Sequence, residues 1–275
     1  VTVEDHPLLV SHVMKGSAIL PAALIVEWMA HGALHNNPGL IFIGLNDLQI
    51  FKGISLGADD RIVLQINTSE IQTAQGNDHV VVELRSKDFL HASANILLGS
   101  NYSEHEPVSI NTSSSLHPYK GDNVYSTGRL FHGKEMQGIE TVIDCTDTEI
   151  IAKVKSAPAP AQWMERPVRS KWLSDPLIID TSFQLMILWT FEYLGTGSLP
   201  TRIGTYRQFQ RSFPKNGATI SLRILDKSSH SVTANIEFLD DGGKLIAEIE
   251  NYECVTDASL NDAFKDNCLL KEPQA

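Results

Sequence analysis

The sequence predicts an α+β protein made of two similar halves fused in one chain. Two apolar runs have helical spacing: Leu24, Ile25, Trp28 and Met29 in the first half, and Phe183, Met186, Ile187, Phe191 and Leu194 in the second. Each run follows an extended lead-in and precedes several strand-like segments punctuated by Gly, Asn, Asp and Ser. One long helix with a mostly antiparallel sheet is an α+β plan. Its repetition points to two copies, neither large enough to hide its helix alone. The order of elements carries the duplication, because the halves share few residues.

Residues 1–20 alternate apolar and polar positions and read as extended. Pro21 suits the first turn of a helix, so the first helix is expected over 21–34, fading between Gly32 and Asn37. Strands are expected over 40–50, 62–68, 80–86 and 91–98. Residues 100–122 are rich in Ser, Asn, His and Pro and read as a connection. Strands follow over 139–145 and 149–155, then an Ala/Pro-rich loop over 157–167. An extended stretch over 172–180 runs into the second helix, which Gly195 ends. Strands return over 201–209, 218–225, 232–239 and 245–254, the last two joined by a hairpin turn at Asp241-Gly242. The polar end is expected to fray. The expected division is 1–107, a linker over 108–122, 123–257, and a tail over 258–275.

At 275 residues with 42% hydrophobic content, the chain can bury one large core or two small ones. A formal net charge of -11 argues against nucleic acid or an anionic membrane as the main partner. No apolar run approaches the roughly 20 residues of a membrane span. Cys145, Cys254 and Cys268 are far apart, without metal-ligand spacing, and fit free thiols in a reducing cytoplasm. The Asn-x-Ser/Thr sequons at Asn67, Asn101 and Asn111 read as chance in a chain without a signal peptide. The first residue is Val1, which fits a domain cut from something larger.

Chemistry concentrates at two places. The first is His12-Val-Met-Lys-Gly16-Ser-Ala-Ile-Leu-Pro21. A neutral imidazole is available as a base near neutrality. Gly16 can bring a backbone N–H close to a ligand, or simply make a turn. The helix after Pro21 offers free N–H groups to developing negative charge. The second is Asp180, at or before the second helix, with Gln184 four residues on and on the same face. Aspartate there is also a common N-cap. Its apolar flanks predict burial, which raises a carboxyl pKa and retains a proton. Base and acid stand 168 positions apart (180 − 12), so pairing them requires the halves to dock helix to helix. Asp175 reads as a turn residue. His31 and His35, at i and i+4, read as structural or solvated rather than as metal ligands.

These residues resemble a known family. His12 to Pro21 looks like the HxxxGxxxxP motif of dehydratase domains of polyketide and fatty acid synthases. Asp180-Thr-Ser-Phe-Gln184 looks like their DxxxQ/H motif. Tyr125 to Gly133 is similar to their YxYGPxFxG segment, and Leu199-Pro200 to an LP element. All occur in the family's order across nearly the whole chain. The run Leu24-Ile-Val-Glu-Trp28-Met-Ala most resembles domains of polyunsaturated-fatty-acid-type synthases. The sequence departs from the pattern at Ala22, at Asp175-Pro176, and at Ser126-Thr127-Gly128-Arg129, which replaces the YGP core.

The resemblance implies a double hotdog, two curved antiparallel sheets each around a central helix. It implies a β-hydroxyacyl thioester substrate on the phosphopantetheine arm of an acyl carrier protein, and no metal or redox cofactor. His12 would be the general base and Asp180 the acid, with Gln184 orienting it. Gly16 and the first helix would receive the thioester oxygen, and Tyr125 would contact the departing hydroxyl. Partners implied are the carrier protein and neighbouring synthase domains, with a homodimer as one assembly. Readings that share the fold are double-bond isomerisation, product-template cyclisation and a non-catalytic scaffold.

Overall fold

A 3-10 turn and a short β-hairpin lead the chain into the first of its two long helices, and two 3-10 turns, a strand pair and a short helix lead into the second. The computed structural model describes residues 1–74, 77–105, 119 and 123–270. The linker expected over 108–122 lies outside the described residues except for Tyr119. A 3-10 turn, Pro7–Ser11, precedes β1 (Val13–Met14), β2 (Ser17–Ile19) and α1 (Ala22–His35). Then come β3 (Ile41–Ile50), β4 (Ser55–Leu56), β5 (Gln65–Thr68), β6 (Gln72–Ala74), β7 (Asn77–Arg85) and β8 (Leu90–Gly99). The second half has 3-10 turns at Val124–Thr127 and Lys134–Met136, then β9 (Ile139–Cys145), β10 (Glu149–Val154) and the short α2 (Pro160–Trp163). It continues with α3 (Pro176–Leu194), β11 (Gly197–Gln208), β12 (Ala218–Lys227), β13 (Ser231–Leu239), β14 (Leu245–Asp257) and α4 (Leu260–Ala263).

The expected duplication is present as two strand sets, each against its own helix. α1 packs on β7, β5, β8 and β3, and α3 on β11, β10 and β12. The sets form one sheet in the order β5-β7-β8-β3-β11-β14-β13-β12-β10-β9, with β6 beside β7. Every pairing in it among the described residues is antiparallel. The halves meet where β3 pairs with β11, from Arg202 opposite Gln49 to Arg207 opposite Gly44. Gly44 has φ 153°, and a Cβ there would lie 2.1 Å from the Tyr206 carbonyl oxygen, so the seam closes on a residue without a side chain. α1 and α3 touch across this arrangement, the helix-to-helix docking that the distant base and acid require.

Both helices are apolar nearly all round, as central helices must be. In α1, Gly32 leaves room for β5, because a Cβ there would meet Ile66 Cγ2 at 2.4 Å. In α3, every residue from Pro176 to Thr190 is buried, and each large apolar side chain so placed contributes about 1.5–3 kcal/mol relative to exposure.

The lead-in expected to be extended holds the 3-10 turn Pro7–Ser11, β5 starts later and β11 earlier than expected, and three further differences bear on the site. α3 begins at Pro176 rather than near Asp180, because Asp175 is its N-cap and accepts from the N–H groups of Leu177 (3.1 Å) and Ile178 (3.0 Å). Residues 176–180 are therefore helical, and Asp175 is more than a turn residue. Gly195, in the left-handed region, ends the helix as expected. The 157–167 loop contains α2, whose Trp163 is fully buried. The C-terminal stretch does not fray through residue 270: α4 forms, and Phe264 packs against Phe131 and Phe191. No helix among the described residues is long and apolar enough to cross a membrane.

Candidate active site

The spacing of the first motif is that of a hairpin. Val13 pairs with Ala18 and Met14 with Ser17, leaving Lys15-Gly16 as a two-residue turn. Both have positive φ, 52° and 73°, as a type I′ turn demands. The hairpin returns Ile19 to His12: the Ile19 N–H donates to the His12 carbonyl (2.8 Å), and His12 Nδ1 lies 2.7 Å from the Ile19 carbonyl oxygen. A carbonyl only accepts, so Nδ1 carries the hydrogen and Nε2 keeps its lone pair. Burial pushes the imidazole down to about 4, against the opposing pull of Asp180. His12 is thus a neutral imidazole with its Nε2 lone pair free.

Its target is Asp180 in α3, whose Oδ1 lies 3.8 Å from His12 Nε2; the two residues are 3% and 6% exposed. The other carboxylate oxygen, Oδ2, accepts from Gln184 Nε2 at 2.8 Å. Gln184 Nε2 also donates to the Met136 carbonyl (2.8 Å), and its Oε1 accepts from the Tyr125 hydroxyl (2.7 Å). That hydroxyl accepts in turn from the Ile139 N–H at 2.8 Å. The series Ile139–Tyr125–Gln184–Asp180 has every donor facing an acceptor, which fixes the amide orientation. Burial holds the Tyr125 phenol well above its ordinary value, so it keeps its proton.

His132 also belongs to the cluster, and sequence reasoning passed over it. Its Nε2 lies 3.4 Å from Asp180 Oδ2, and its ring lies 5.1 Å from that of His12. An isolated antiparallel bridge joins His12 to His132, and the Gly133 N–H donates to the Ser11 carbonyl at 2.8 Å. The segment between the two 3-10 turns of the second half is therefore stitched to the lead-in of the first motif. Phe131 stacks on the His132 ring at 4.1 Å. The only local signal was the placement of His132-Gly133 at the end of the segment that starts at Tyr125.

His132 changes the electrostatics expected of Asp180. Burial works to raise the Asp180 carboxyl, but the hydrogen bond and charge of His132, with His12 and Gln184, outweigh it and hold it below its ordinary value. The resting group is the carboxylate, not the burial-protonated acid expected from its apolar flanks. Asp175 shows what burial does without such partners: it is pushed up to about 7, even though the Ile178, Ala157 and Leu177 N–H groups pull it the other way.

Gly16 has a different engagement from the one expected. Its N–H donates to the Asp266 carbonyl (3.0 Å), and its own carbonyl accepts from the Leu270 N–H (2.9 Å). The C-terminal segment thus clasps the Lys15-Gly16 turn. Glu27, His31 and the lead-in to α3 form a separate buried cluster. The Glu27 carboxylate accepts from the N–H groups of Leu173 (2.7 Å) and Ser174 (2.9 Å) and from the Ser174 hydroxyl (2.7 Å), with His31 Nε2 at 3.0 Å. This gives His31 a structural partner on its own helix, in keeping with its expected role. Arg129, a departure from the family pattern, pairs with Glu192 of α3 at 2.7 Å.

His12, His132 and Asp180 bring three donor atoms within 4.8 Å of one another. With His12 Nε2 free and Asp180 Oδ2 already accepting from Gln184, the set is able to move a proton. Surface cavities of about 590 and 350 Å³ border the C-terminal half of α1 and do not include the trio.

Comparison with known proteins identifies the family. The family model described as polyketide synthase dehydratase N-terminal domain matches residues 107–258, more than half of the chain. A polyunsaturated fatty acid synthase subunit from Thraustochytrium sp. (strain ATCC 26185 / S-3) is 25% identical over 262 residues. That match covers 94% of this chain but spans only 9% of the relative's length. Among solved structures, the dehydratase domain of a mycocerosic acid synthase-like polyketide synthase superposes with TM-score 0.72 at 24% identity, over 93% of this chain and 88% of that one. A trans-acyltransferase polyketide synthase enoyl-isomerase superposes with TM-score 0.66 at 16% identity, over 92% of this chain and 96% of that one. These structural likenesses speak to the double-hotdog fold.

Proposed function

The chain belongs to the polyketide synthase dehydratase family, and on that premise we propose that it removes water from a β-hydroxyacyl thioester to leave an α,β-enoyl thioester. The observation that carries the reading is the facing of His12 Nε2 and Asp180 Oδ1 at 3.8 Å, one from each half and both buried. Neutral His12 takes the α-proton. The electrons of the broken C–H bond form the double bond, and the C–O bond electrons leave with the hydroxyl oxygen. Asp180 passes a proton to that oxygen, and water departs. Because base and acid lie so close together, proton and hydroxyl leave from the same face of the acyl chain. Gln184 and Tyr125 hold Asp180 in place. The first N–H groups of α1, which have no partner within the helix, receive negative charge on the thioester oxygen. Gly16 contributes by shaping the hairpin turn, since its own N–H is taken by the Asp266 carbonyl.

The substrate arrives on the phosphopantetheine of an acyl carrier protein, within a synthase of the cytoplasm that supplies the neighbouring domains. The reaction as written uses no cofactor. The test is incubation of the purified chain with a β-hydroxyacyl thioester, followed by mass analysis. Loss of one water is expected, and it disappears in His12→Ala and Asp180→Asn while both stay folded by circular dichroism. Isomerisation leaves the mass unchanged, and full activity in both variants removes the assignment.

A further inference from the structure

An acid that rests as a carboxylate must draw its proton from somewhere, and beside His12, which serves as the base, the ring in reach is His132. We infer that His132 and Asp180 hold one proton between them, so that His132 stores and positions the proton Asp180 delivers. The inference rests on the dehydratase reading and goes one step beyond it. His132 Nε2 faces Asp180 Oδ2 at 3.4 Å. Its ring is 5% exposed, stacked on Phe131, and held by the bridge between His132 and His12. Its Nδ1 is buried without a hydrogen-bond partner among the described residues. The contact of Nε2 with the carboxylate is thus the polar contact this buried ring side chain makes among the described residues. A donor to Asp180 was already present in Gln184, and positioning alone did not require a second, titratable one.

The other ionisable groups facing Asp180 are His12 from the lead-in to β1, Tyr125 from the 3-10 turn at Val124–Thr127, and Tyr252 from β14. Both phenols are held protonated by burial, which leaves His12 and His132 to exchange protons with the carboxylate. The cycle balances. The substrate gives its α-proton to His12, and the His132–Asp180 pair gives its proton to the departing hydroxyl. After water leaves, the proton on His12 returns to Asp180 Oδ1 across the 3.8 Å between them.

The experiment compares His132→Gln with the unsubstituted chain. Glutamine keeps a hydrogen-bond donor but cannot hold a transferable proton. A carboxylate beside a second basic site holds its shared proton to higher pH than the carboxylate alone, since either site can carry it. In His132→Gln the alkaline limb of the kcat/KM profile is expected to move to lower pH by about one unit or more, and kcat to fall about 10²-fold with little change in KM. A parallel measurement uses the unsubstituted chain with isotope-labelled His and Asp: the His132 ring nitrogens and the Asp180 carboxyl carbon are expected to shift with one common midpoint. An unmoved alkaline limb in His132→Gln overturns the inference while leaving the dehydratase intact, and so do separate midpoints. Absence of dehydration by the unsubstituted chain instead removes the underlying reading.

Discussion

In the proposed reaction His12 serves as a base because its neutral form is the resting one. Burial lowers it from 6.5 to about 4, so its protonation is the acid limb of catalysis. The rate kcat/KM, which reports the free enzyme, is expected to hold through pH 6 and to fall only as pH drops towards about 4. A half-maximal rate near pH 6.5 would contradict this placement of His12. The same shift acts on stability. Between 6.5 and about 4 the unfolded chain binds a proton at His12 that the folded chain refuses, so this residue makes stability fall as pH drops through that window. A second prediction concerns Tyr125, whose hydroxyl joins the Ile139 N–H to Gln184. Tyr125→Phe leaves both without their partner and is expected to cost about 1–3 kcal/mol in urea unfolding, with kcat reduced more than KM is raised. His12, Asp180 and Gln184 were legible because their spacings place them on a motif and on one helix face. The ionisation of Asp180 was not legible. It depends on His132, which the sequence places 48 positions away (180 − 132) with no periodicity to link them.

At the scale of elements, the start of α3 sets where Asp180 points. Asp175 caps the helix and also accepts from the Ala157 N–H, at 3.0 and 3.1 Å from its two oxygens. Asp175→Ala is expected to cost about 1–2 kcal/mol, seen as a lower urea midpoint with an unchanged slope. A stability equal to that of the original chain would show that the cap is dispensable. The Asp-Pro pair carried this signal, since proline is favoured at the first helical position, but the apolar run alone suggested a later start. Glu27 ties α1 to the same lead-in, through Leu173 and Ser174. Removing that carboxylate in Glu27→Ala leaves buried N–H groups and His31 unpaired, at an expected cost of about 3–5 kcal/mol in the same urea titration. The short α4 was overlooked because the end of the chain is polar overall. Leu260, Ala263 and Phe264 nevertheless stand at i, i+3 and i+4, and all three are buried.

At the scale of the whole molecule, the seam between β3 and β11 keeps His12 and Asp180 in register. His12 belongs to the first half and Asp180 to the second, so their 3.8 Å approach depends on how one sheet continues into the other. The two-copy plan was legible from the order of elements, whereas the joint was not, because strand pairing between distant segments leaves no local pattern. What marks the joint in retrospect is Gly44, placed where only a residue without Cβ lets the Tyr206 carbonyl approach. Gly44→Val adds a β-branched side chain at φ 153° against that backbone, a clash that neither strand relieves without losing pairing. The expected outcome is a single cooperative unfolding transition at a lower midpoint, with dehydration lost along with the fold at the same denaturant concentration. Two separate transitions, or a variant that unpairs the seam yet retains activity, would mean that each half stands alone and that another contact brings His12 to Asp180. The direct packing of α1 on α3 is the contact that would then have to do so.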